Sequence, residues 1–133
     1  MWLLKTEPSA YGYEDLAREG RAVWDGVTNP VALKNLRAMK VGDEAFVYHT
    51  GDEKAVVGTA RVVGAAYPDP RRGDPRLVVV DIEATGRLKR PVTLAEMKAT
   101  PAFADSPLVR QGRLSVVPLT PRQWKAVVER GSR

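Results

Sequence analysis

The sequence predicts an α+β fold in which short helices pack around a mixed, curled sheet of five or six strands. Its 133 residues, 44% hydrophobic and 28% charged, suit one globular domain spanning residues 1–133. Short apolar segments typical of strands are interrupted by four short helical patterns. The strands and helices do not alternate strictly, as they would in a doubly wound α/β fold.

The N-terminal segment predicts a strand followed by a short helix. Residues 2–5 predict a strand whose first three residues are apolar, and it must end before Pro8, because proline lacks a backbone N–H donor. Residues 13–18 show a helical pattern that ends at Gly20. An apolar pair and a turn follow at residues 23–26.

The next segment predicts a helix and a strand that enters a hairpin. Asn29 is a favourable N-cap, and Pro30 suits the first helical position, where its missing N–H costs nothing. The helical pattern continues to about Lys40. Residues 45–48 predict a strand, and residues 51–54 predict a hairpin connection.

Two further strands are predicted on either side of a proline-rich loop. Residues 56–63 form the first, with Gly58 as a bulge or a point of close approach. Residues 67–75 contain three prolines and a glycine, which predicts a loop. Residues 77–83 are nearly continuous in valine, which predicts a strand covered on both faces.

The C-terminal segment predicts two capped helices and a last strand. Thr93 and Glu96 have the spacing of a capping box, and residues 114–119 are apolar and strand-like. Thr120 opens a second capping box with Pro121 at the first helical position, which predicts a terminal helix.

The composition excludes several classes of site. The chain has no cysteine and one histidine, so we expect no disulfides, no thiolate or multi-histidine metal site and no cofactor bound by such ligands. No apolar run approaches the roughly 20 residues of a membrane helix, and the N-terminus does not resemble a signal peptide. We therefore expect a cytoplasmic protein with no membrane partner; the sequence does not determine its oligomeric state.

Positive charge is concentrated in the C-terminal third. Residues 87–133 contain 10 basic and 3 acidic side chains, whereas the net charge of the whole chain is only +5. Such a distribution favours a polyanionic partner, because lysine and arginine release counterions when they bind phosphates. A solvated, arginine-rich surface explains the same distribution, and both interpretations remain open.

The sequence shows no catalytic template. It lacks a P-loop, a G-x-S-x-G elbow, a G-x-G-x-x-G turn and an H-E-x-x-H helix. His49 follows an apolar strand, and a histidine hydrogen-bonded at a strand end is the favoured interpretation. An enzyme acting on a nucleotide or RNA, with Glu7, His49 and Asp69 as acid–base groups, is an alternative.

Aromatic side chains next to polar turns suggest a pocket for a planar ligand. Trp24, Tyr48 and Tyr67 each lie beside such residues. An aromatic face stacks on any base, at about 1–3 kcal/mol per base, while polar neighbours contact the edge of the base. Core packing is the competing explanation, and for Trp24 and Tyr48 both remain open.

Seven short blocks, taken in order, resemble the EVE-domain family over about residues 2–130. They cover residues 2–8, 24–27, 36–43, 48–49, 66–69, 91–94 and 113–116. The resemblance implies a PUA-like pseudobarrel, related to the YTH and ASCH domains. It also implies a non-catalytic reader of a modified base in DNA or RNA, which takes a nucleotide turned out of its strand into a pocket.

The resemblance further implies which residues form this site. The ligand pocket would contain Lys5, Thr6, Glu7, Pro8, Trp24, Asp25, Gly26, Asn29, Tyr48, His49, Thr50, Tyr67 and Asp69. Phosphates would be bound by Lys34, Arg37 and Arg113 together with Lys5. Trp24 would stack on the base, so truncating Trp24 would abolish binding with little effect on stability. Glu7 and His49 would line the same open cavity as Trp24.

The chain departs from the family pattern at the start of the second helix. Thr28 and Leu33 stand where arginine is usual, and Val31 stands where glutamine is usual. Lys34 partly replaces the missing positive charge, without the planar guanidinium fork. A small-molecule sensor that uses the same pocket is a further alternative.

Overall fold

The computed structural model describes residues 1–133 and contains six strands and five short α-helices, which confirms the predicted α+β class. The strands are β1 (Trp2–Thr6), β2 (Arg21–Trp24), β3 (Glu44–His49), β4 (Ala55–Pro68), β5 (Val78–Thr93) and β6 (Val116–Pro118). The helices are α1 (Tyr13–Glu19), α2 (Pro30–Ala38), α3 (Leu94–Lys98), α4 (Pro107–Arg110) and α5 (Pro121–Gly131), with a 3₁₀ turn at Pro101–Phe103.

All six strands belong to one mixed sheet in the order β2-β5-β4-β3-β1-β6. Strands β1 and β3 are parallel, and every other neighbouring pair is antiparallel. The parallel pairing sets Lys5 opposite Tyr48 and Thr6 opposite His49. The C-terminal ends of β1 and β3, both rich in predicted site residues, therefore lie side by side.

The helix caps form as the sequence predicts, and they orient apolar faces toward the sheet. The Asn29 side chain accepts hydrogen bonds from the backbone N–H groups of Val31 and Ala32. Ala32 and Leu36 are fully buried in the core. This anchors the start of α2 at the position where the chain leaves the turn after β2.

The β4–β5 hairpin is much longer than the sequence predicts. Strand β4 includes Tyr67 and Pro68, which the proline count had assigned to a loop, and β5 continues past Glu83 to Thr93. Tyr67 pairs with Val79, and its hydroxyl donates to Asp81 Oδ1 at 2.7 Å. Four register shifts interrupt the pairing, so regular alternation is lost locally and the strand pattern is obscured.

Gly58 is a point of close approach, as predicted. A Cβ atom at this position would lie 2.5 Å from Cε2 of Tyr13, and the pairing of β4 with β5 shifts between Val56 and Gly58. The Tyr13 hydroxyl donates to the Thr59 carbonyl at 2.8 Å and accepts from the Gly86 N–H at 2.9 Å. Helix α1 is thereby fixed against the hairpin.

The last strand is shorter than predicted, with only Val116–Pro118 paired. The segment before it contains α4, which was not predicted because it has only four residues. Ser106 caps α4 by accepting from the Leu108 N–H at 3.1 Å. None of the helices has the length and apolar character needed to cross a membrane.

Candidate functional site

A cavity of about 720 Å³ opens where the ends of β1, β2 and β4 meet the start of α2. This volume lies within the range of ligand-binding cavities, roughly 300–1,000 Å³. The side chains and backbone that line it come from Lys5, Thr6, Tyr11, Glu19, Ala22, Val23, Trp24, Asp25, Gly26, Val27, Thr28, Asn29, Tyr67, Asp69, Pro70, Arg71, Arg113 and Ser115. We call it the large cavity.

The structure divides the predicted site residues into two groups. Those that line the large cavity are Lys5, Thr6, Trp24, Asp25, Gly26, Asn29, Tyr67, Asp69 and Arg113. Those outside it are Glu7, Pro8, Tyr48, His49 and Thr50, together with Lys34 and Arg37. The expectation that Glu7 and His49 share an open cavity with Trp24 is therefore wrong.

Trp24 belongs to both the cavity wall and the hydrophobic core. Only 7% of it is exposed, and its ring meets that of Tyr11 edge-to-face at 6.3 Å and 80°. Burial, together with a 2.6 Å hydrogen bond from the Tyr11 hydroxyl to Glu19, raises the pKa of Tyr11. Because Trp24 is buried in the core, we expect its truncation to lower the free energy of unfolding, in place of the small effect that the sequence suggested.

Asp69 provides an ionised carboxylate in the cavity wall. It is 4% exposed and accepts from the Arg71 N–H at 2.9 Å and from Arg72 Nε at 3.0 Å. The Arg71 N–H and the Arg72 guanidinium outweigh burial and lower the Asp69 pKa. At neutral pH this carboxylate can only accept hydrogen bonds, so it suits a ligand that presents an N–H or O–H donor.

The two arginines after Asp69 connect the proline-rich loop to the turn after β2. Arg71 forms an ion pair with Asp25, and its Nε lies 3.7 Å from Asp69 Oδ1. Arg72 Nη1 donates to the Val27 carbonyl at 3.2 Å, while its buried Nη2 has no partner in the protein. These contacts hold Asp25 and Asp69 at the same side of the cavity.

Lys5, from β1, and Arg113, from the segment before β6, also line the large cavity. Lys5 Nζ donates to the Gly112 carbonyl at 2.9 Å and lies 5.7 Å from the centroid of the Tyr48 ring. Burial lowers the pKa of Lys5. Arg113 is exposed and makes no hydrogen bond or ion pair within the protein, so its guanidinium is available to an anion.

Two polar residues of the wall are partly engaged within the protein. The Thr6 hydroxyl donates to the Tyr11 carbonyl at 2.7 Å, which fixes the turn that carries Tyr11. Asn29 uses its side-chain oxygen to cap α2, but its amide nitrogen has no protein partner. The Asn29 amide therefore remains a free donor beside the acceptors Asp25 and Asp69.

His49 lies outside the large cavity, in an arrangement that we call the His49 network: His49, Tyr13, Glu53, Thr6 and Thr50. Of these residues, Thr6 also lines the large cavity. The Tyr13 N–H donates to His49 Nε2 at 3.0 Å, and His49 Nδ1 lies 2.7 Å from Glu53 Oε1. This pattern assigns the imidazole proton to Nδ1. The Thr50 N–H donates to the Thr6 carbonyl at 2.9 Å. Both ring nitrogens are thus engaged, as the strand-end interpretation of His49 expects.

Glu7 and Tyr48 also have local structural roles. The Glu7 carboxylate accepts from the Ser9 N–H at 2.9 Å, and its carbonyl accepts from the N–H groups of Ala10 and Tyr11. Tyr48 is 4% exposed and supports Lys5 from the core side. Of the acid–base groups Glu7, His49 and Asp69, only Asp69 lines the large cavity, so the three are not assembled for catalysis there.

The departures on α2 have distinct environments. Leu33 is buried in the core, Val31 is 48% exposed, and Thr28 lines the large cavity. Lys34 is exposed and unpaired, whereas Arg37 donates to the Arg76 carbonyl at 2.7 Å. Of the predicted phosphate ligands, Lys5 and Arg113 line the large cavity, whereas Lys34 and Arg37 lie outside it.

Sequence reasoning missed Tyr11, Glu19 and Arg71. Tyr11 precedes α1, Glu19 is its last residue, and both reach the cavity through contacts that are set by the fold. Arg71 had a local signal, because a residue two positions after an aspartate commonly donates its N–H to that carboxylate. No group of three or more histidine, aspartate or glutamate side chains is placed to hold a metal ion.

The sequence is similar to a known domain family and to several known proteins. The EVE domain model matches residues 1–130. Thymocyte nuclear protein 1 of Mus musculus is 33% identical over 162 aligned residues, covering 96% of this chain and 71% of that protein. The Homo sapiens protein of the same name is 32% identical, with 96% and 72% covered.

Solved structures agree in fold over nearly the whole chain. An NMR structure of a Rhodopseudomonas palustris protein is 43% identical, with a TM-score of 0.91 and coverage of 98% of this chain and 91% of that chain. Human THYN1 in complex with 5-methylcytosine-containing DNA is 31% identical, with a TM-score of 0.88 and coverage of 99% and 97%. An ASCH protein of Zymomonas mobilis, 12% identical with a TM-score of 0.60, shares the fold and confirms the predicted PUA-like architecture.

Proposed function

The chain belongs to the EVE-domain family, and on that premise we propose that its large cavity binds a modified base of DNA without catalysing a reaction. The observation that carries the proposal is the large cavity, in which an aromatic wall faces hydrogen-bonding groups with unused capacity. The human relative solved with 5-methylcytosine-containing DNA supports DNA as the polymer.

The hydrogen-bonding groups of the cavity complement the edge of cytosine. Asp25 and Asp69 are acceptors, and cytosine presents an amino group that donates. The free amide of Asn29 is a donor, and the carbonyl oxygen of cytosine accepts. Trp24 and Tyr67 supply aromatic surface beside the ring. We therefore propose a modified cytosine as the ligand.

The base would reach the cavity by leaving the stack of its own strand, because a volume of about 720 Å³ is too small to hold a duplex. Extrusion costs a few kcal/mol, which the cavity must repay through contacts with the base and phosphates. Lys5 and Arg113 line the large cavity as cations and would contact the flanking phosphates.

Binding of matched oligonucleotides tests the proposal. Fluorescence anisotropy would compare DNA containing one central 5-methylcytosine with the same DNA containing cytosine, and both with RNA of equal sequence. A buried methyl group contributes about 0.8 kcal/mol, so we expect about fourfold tighter binding of the methylated DNA. Equal affinity for the two DNA strands would contradict the proposal.

Two further readouts separate the alternative functions. A reader that contacts phosphates loses affinity steeply as salt rises, whereas a small-molecule sensor binds the free nucleotide with a shallow salt dependence. Mass analysis of nucleosides after incubation distinguishes a reader from an enzyme, because a reader returns the modified base unchanged. Turnover of the base would contradict the non-catalytic part of the proposal.

A further inference from the structure

A second, smaller cavity adjoins the large cavity and is not used by the proposed function. Its volume is about 300 Å³, and it is lined by Asn29, Val31, Gln111, Gly112, Arg113 and Leu114. Asn29 and Arg113 line both cavities, so the two share a wall. A ligand bound in the large cavity therefore lies next to the second cavity.

The shared wall is held in place by backbone and side-chain contacts. The Leu114 N–H donates to the Gln111 carbonyl at 2.9 Å, which closes a tight turn with Gly112 and Arg113 at its centre. Lys5 Nζ donates to the Gly112 carbonyl at 2.9 Å and ties this turn to the end of β1. Arg113 is thus presented on a fixed turn, with its guanidinium donors free of protein partners.

The surface of the second cavity suits a flat ring with a polar edge. Val31 lies in the first turn of α2 and is 48% exposed, so its side chain presents apolar surface to the second cavity. Leu114, 5% exposed, adds apolar surface beside it. The Gln111 side-chain amide has no protein partner and provides both a donor and an acceptor.

We propose that the second cavity binds the base of the nucleotide next to the modified one, with Arg113 on the phosphate that joins them. This inference rests on the proposed function. Adjacent nucleotides are linked by one phosphate, and the wall between the two cavities carries one unpaired guanidinium. Apolar contact with Val31 and Leu114 is tolerant of base identity, so the second cavity contributes affinity for a flanking base of any type.

Oligonucleotides with an abasic site test this inference. Binding would be measured for single-stranded DNA with a central 5-methylcytosine, either intact or with the base removed at the 5′ or the 3′ neighbour. We expect removal on one side to weaken binding about fivefold, because about 40 Å² of apolar surface is then no longer buried, at about 25 cal/mol per Å². Removal on the other side should have a much smaller effect.

Variants assign the effect to the second cavity. Val31→Ser should reduce the difference between the intact and abasic strands, whereas Val41→Ser, at a residue that is 65% exposed and lines neither cavity, should not. Equal binding of intact and abasic strands, with the preference for the modified base retained, would overturn this inference alone. A Val31→Ser variant that keeps the full difference in affinity between intact and abasic strands would also overturn this inference alone. Absence of binding to every oligonucleotide would overturn the proposed function and this inference together.

Discussion

The large cavity and the His49 network lie at neighbouring strand ends but use polar side chains in opposite ways. In the network, both nitrogens of His49 are occupied by Tyr13 and Glu53. In the cavity, the amide of Asn29 and the guanidinium of Arg113 keep unused hydrogen-bonding capacity. Polar residues that the sequence alone does not distinguish thus fall into two groups. One group maintains the fold, and the other keeps hydrogen-bonding groups available to a ligand.

Trp24 tests this division most strongly, because it belongs to both the cavity and the core. Trp24→Ala should lower the free energy of unfolding by about 3–5 kcal/mol and abolish DNA binding, since it removes a large buried ring from the cavity wall. Denaturant unfolding and anisotropy measure the two effects. Trp24→Phe, which keeps an aromatic contact with Tyr11, should recover much of the stability; a variant with unchanged stability would show that the ring is not a core residue.

His49 should behave as a purely structural residue. His49→Ala leaves the buried Tyr13 N–H without its acceptor, which should cost about 1–3 kcal/mol of stability. The affinity of the folded protein for modified DNA should stay the same. His49→Gln, which retains an acceptor, is the matched control. A selective loss of DNA affinity in His49→Ala would place His49 back in the binding site.

Asp69 should show a binding effect at neutral pH. Asp69→Asn replaces an obligate acceptor with a group that also donates, and we expect about tenfold weaker binding of the modified DNA. The comparison with Asp105→Asn, an exposed aspartate outside the cavity, controls for the change in net charge. Equal losses in both variants would assign the effect to long-range charge alone.

The lowered pKa of Asp69 also predicts a pH dependence. Its folded pKa lies below the unfolded value of about 3.9, so its contribution to stability is fully present above that value. The contribution is lost as the pH falls through the folded pKa. The stability difference between the wild type and Asp69→Asn should therefore be constant from pH 8 to 5 and shrink below about pH 4. A difference that changes between pH 8 and 5 would contradict this assignment.

The smallest expected effect is at Lys34, which is exposed and outside the cavity. If Lys34 contacts one phosphate, Lys34→Gln should reduce the slope of log affinity against log salt by about 0.7 for single-stranded DNA. Arg122→Gln, on the exposed face of α5, is the control for a general loss of charge. An unchanged slope in Lys34→Gln would remove this residue from the predicted phosphate ligands.

Local signals predicted much of the fold. The caps at Asn29, Thr93 and Thr120 depend on residues within three positions of one another, and all three form in the structure. The length of the β4–β5 hairpin was underestimated, because its register shifts break the alternation of apolar and polar residues that identifies strands. The proline content wrongly predicted a loop at Tyr67 and Pro68, because their pairing with β5 determines the conformation there.

The candidate site was less predictable, because its membership depends on distant contacts. The His49 ring is engaged by Tyr13, 36 residues away in sequence, and no local pattern shows that its nitrogens are occupied. Tyr11 reaches the cavity only because β1, α1 and β2 fold around it. The family resemblance placed the correct segments near one another, but could not show which side chains face open space.

The charges on the wall of the large cavity have a kinetic consequence. Three cations, Lys5, Arg71 and Arg113, are matched by three anions, Glu19, Asp25 and Asp69. An electrically balanced opening exerts little long-range pull on a free anion, so simple phosphates and nucleotides at cellular concentrations should seldom occupy it. Under the proposed function, DNA would instead be attracted by basic groups elsewhere on the surface, and the cavity would select its ligand only when a base enters.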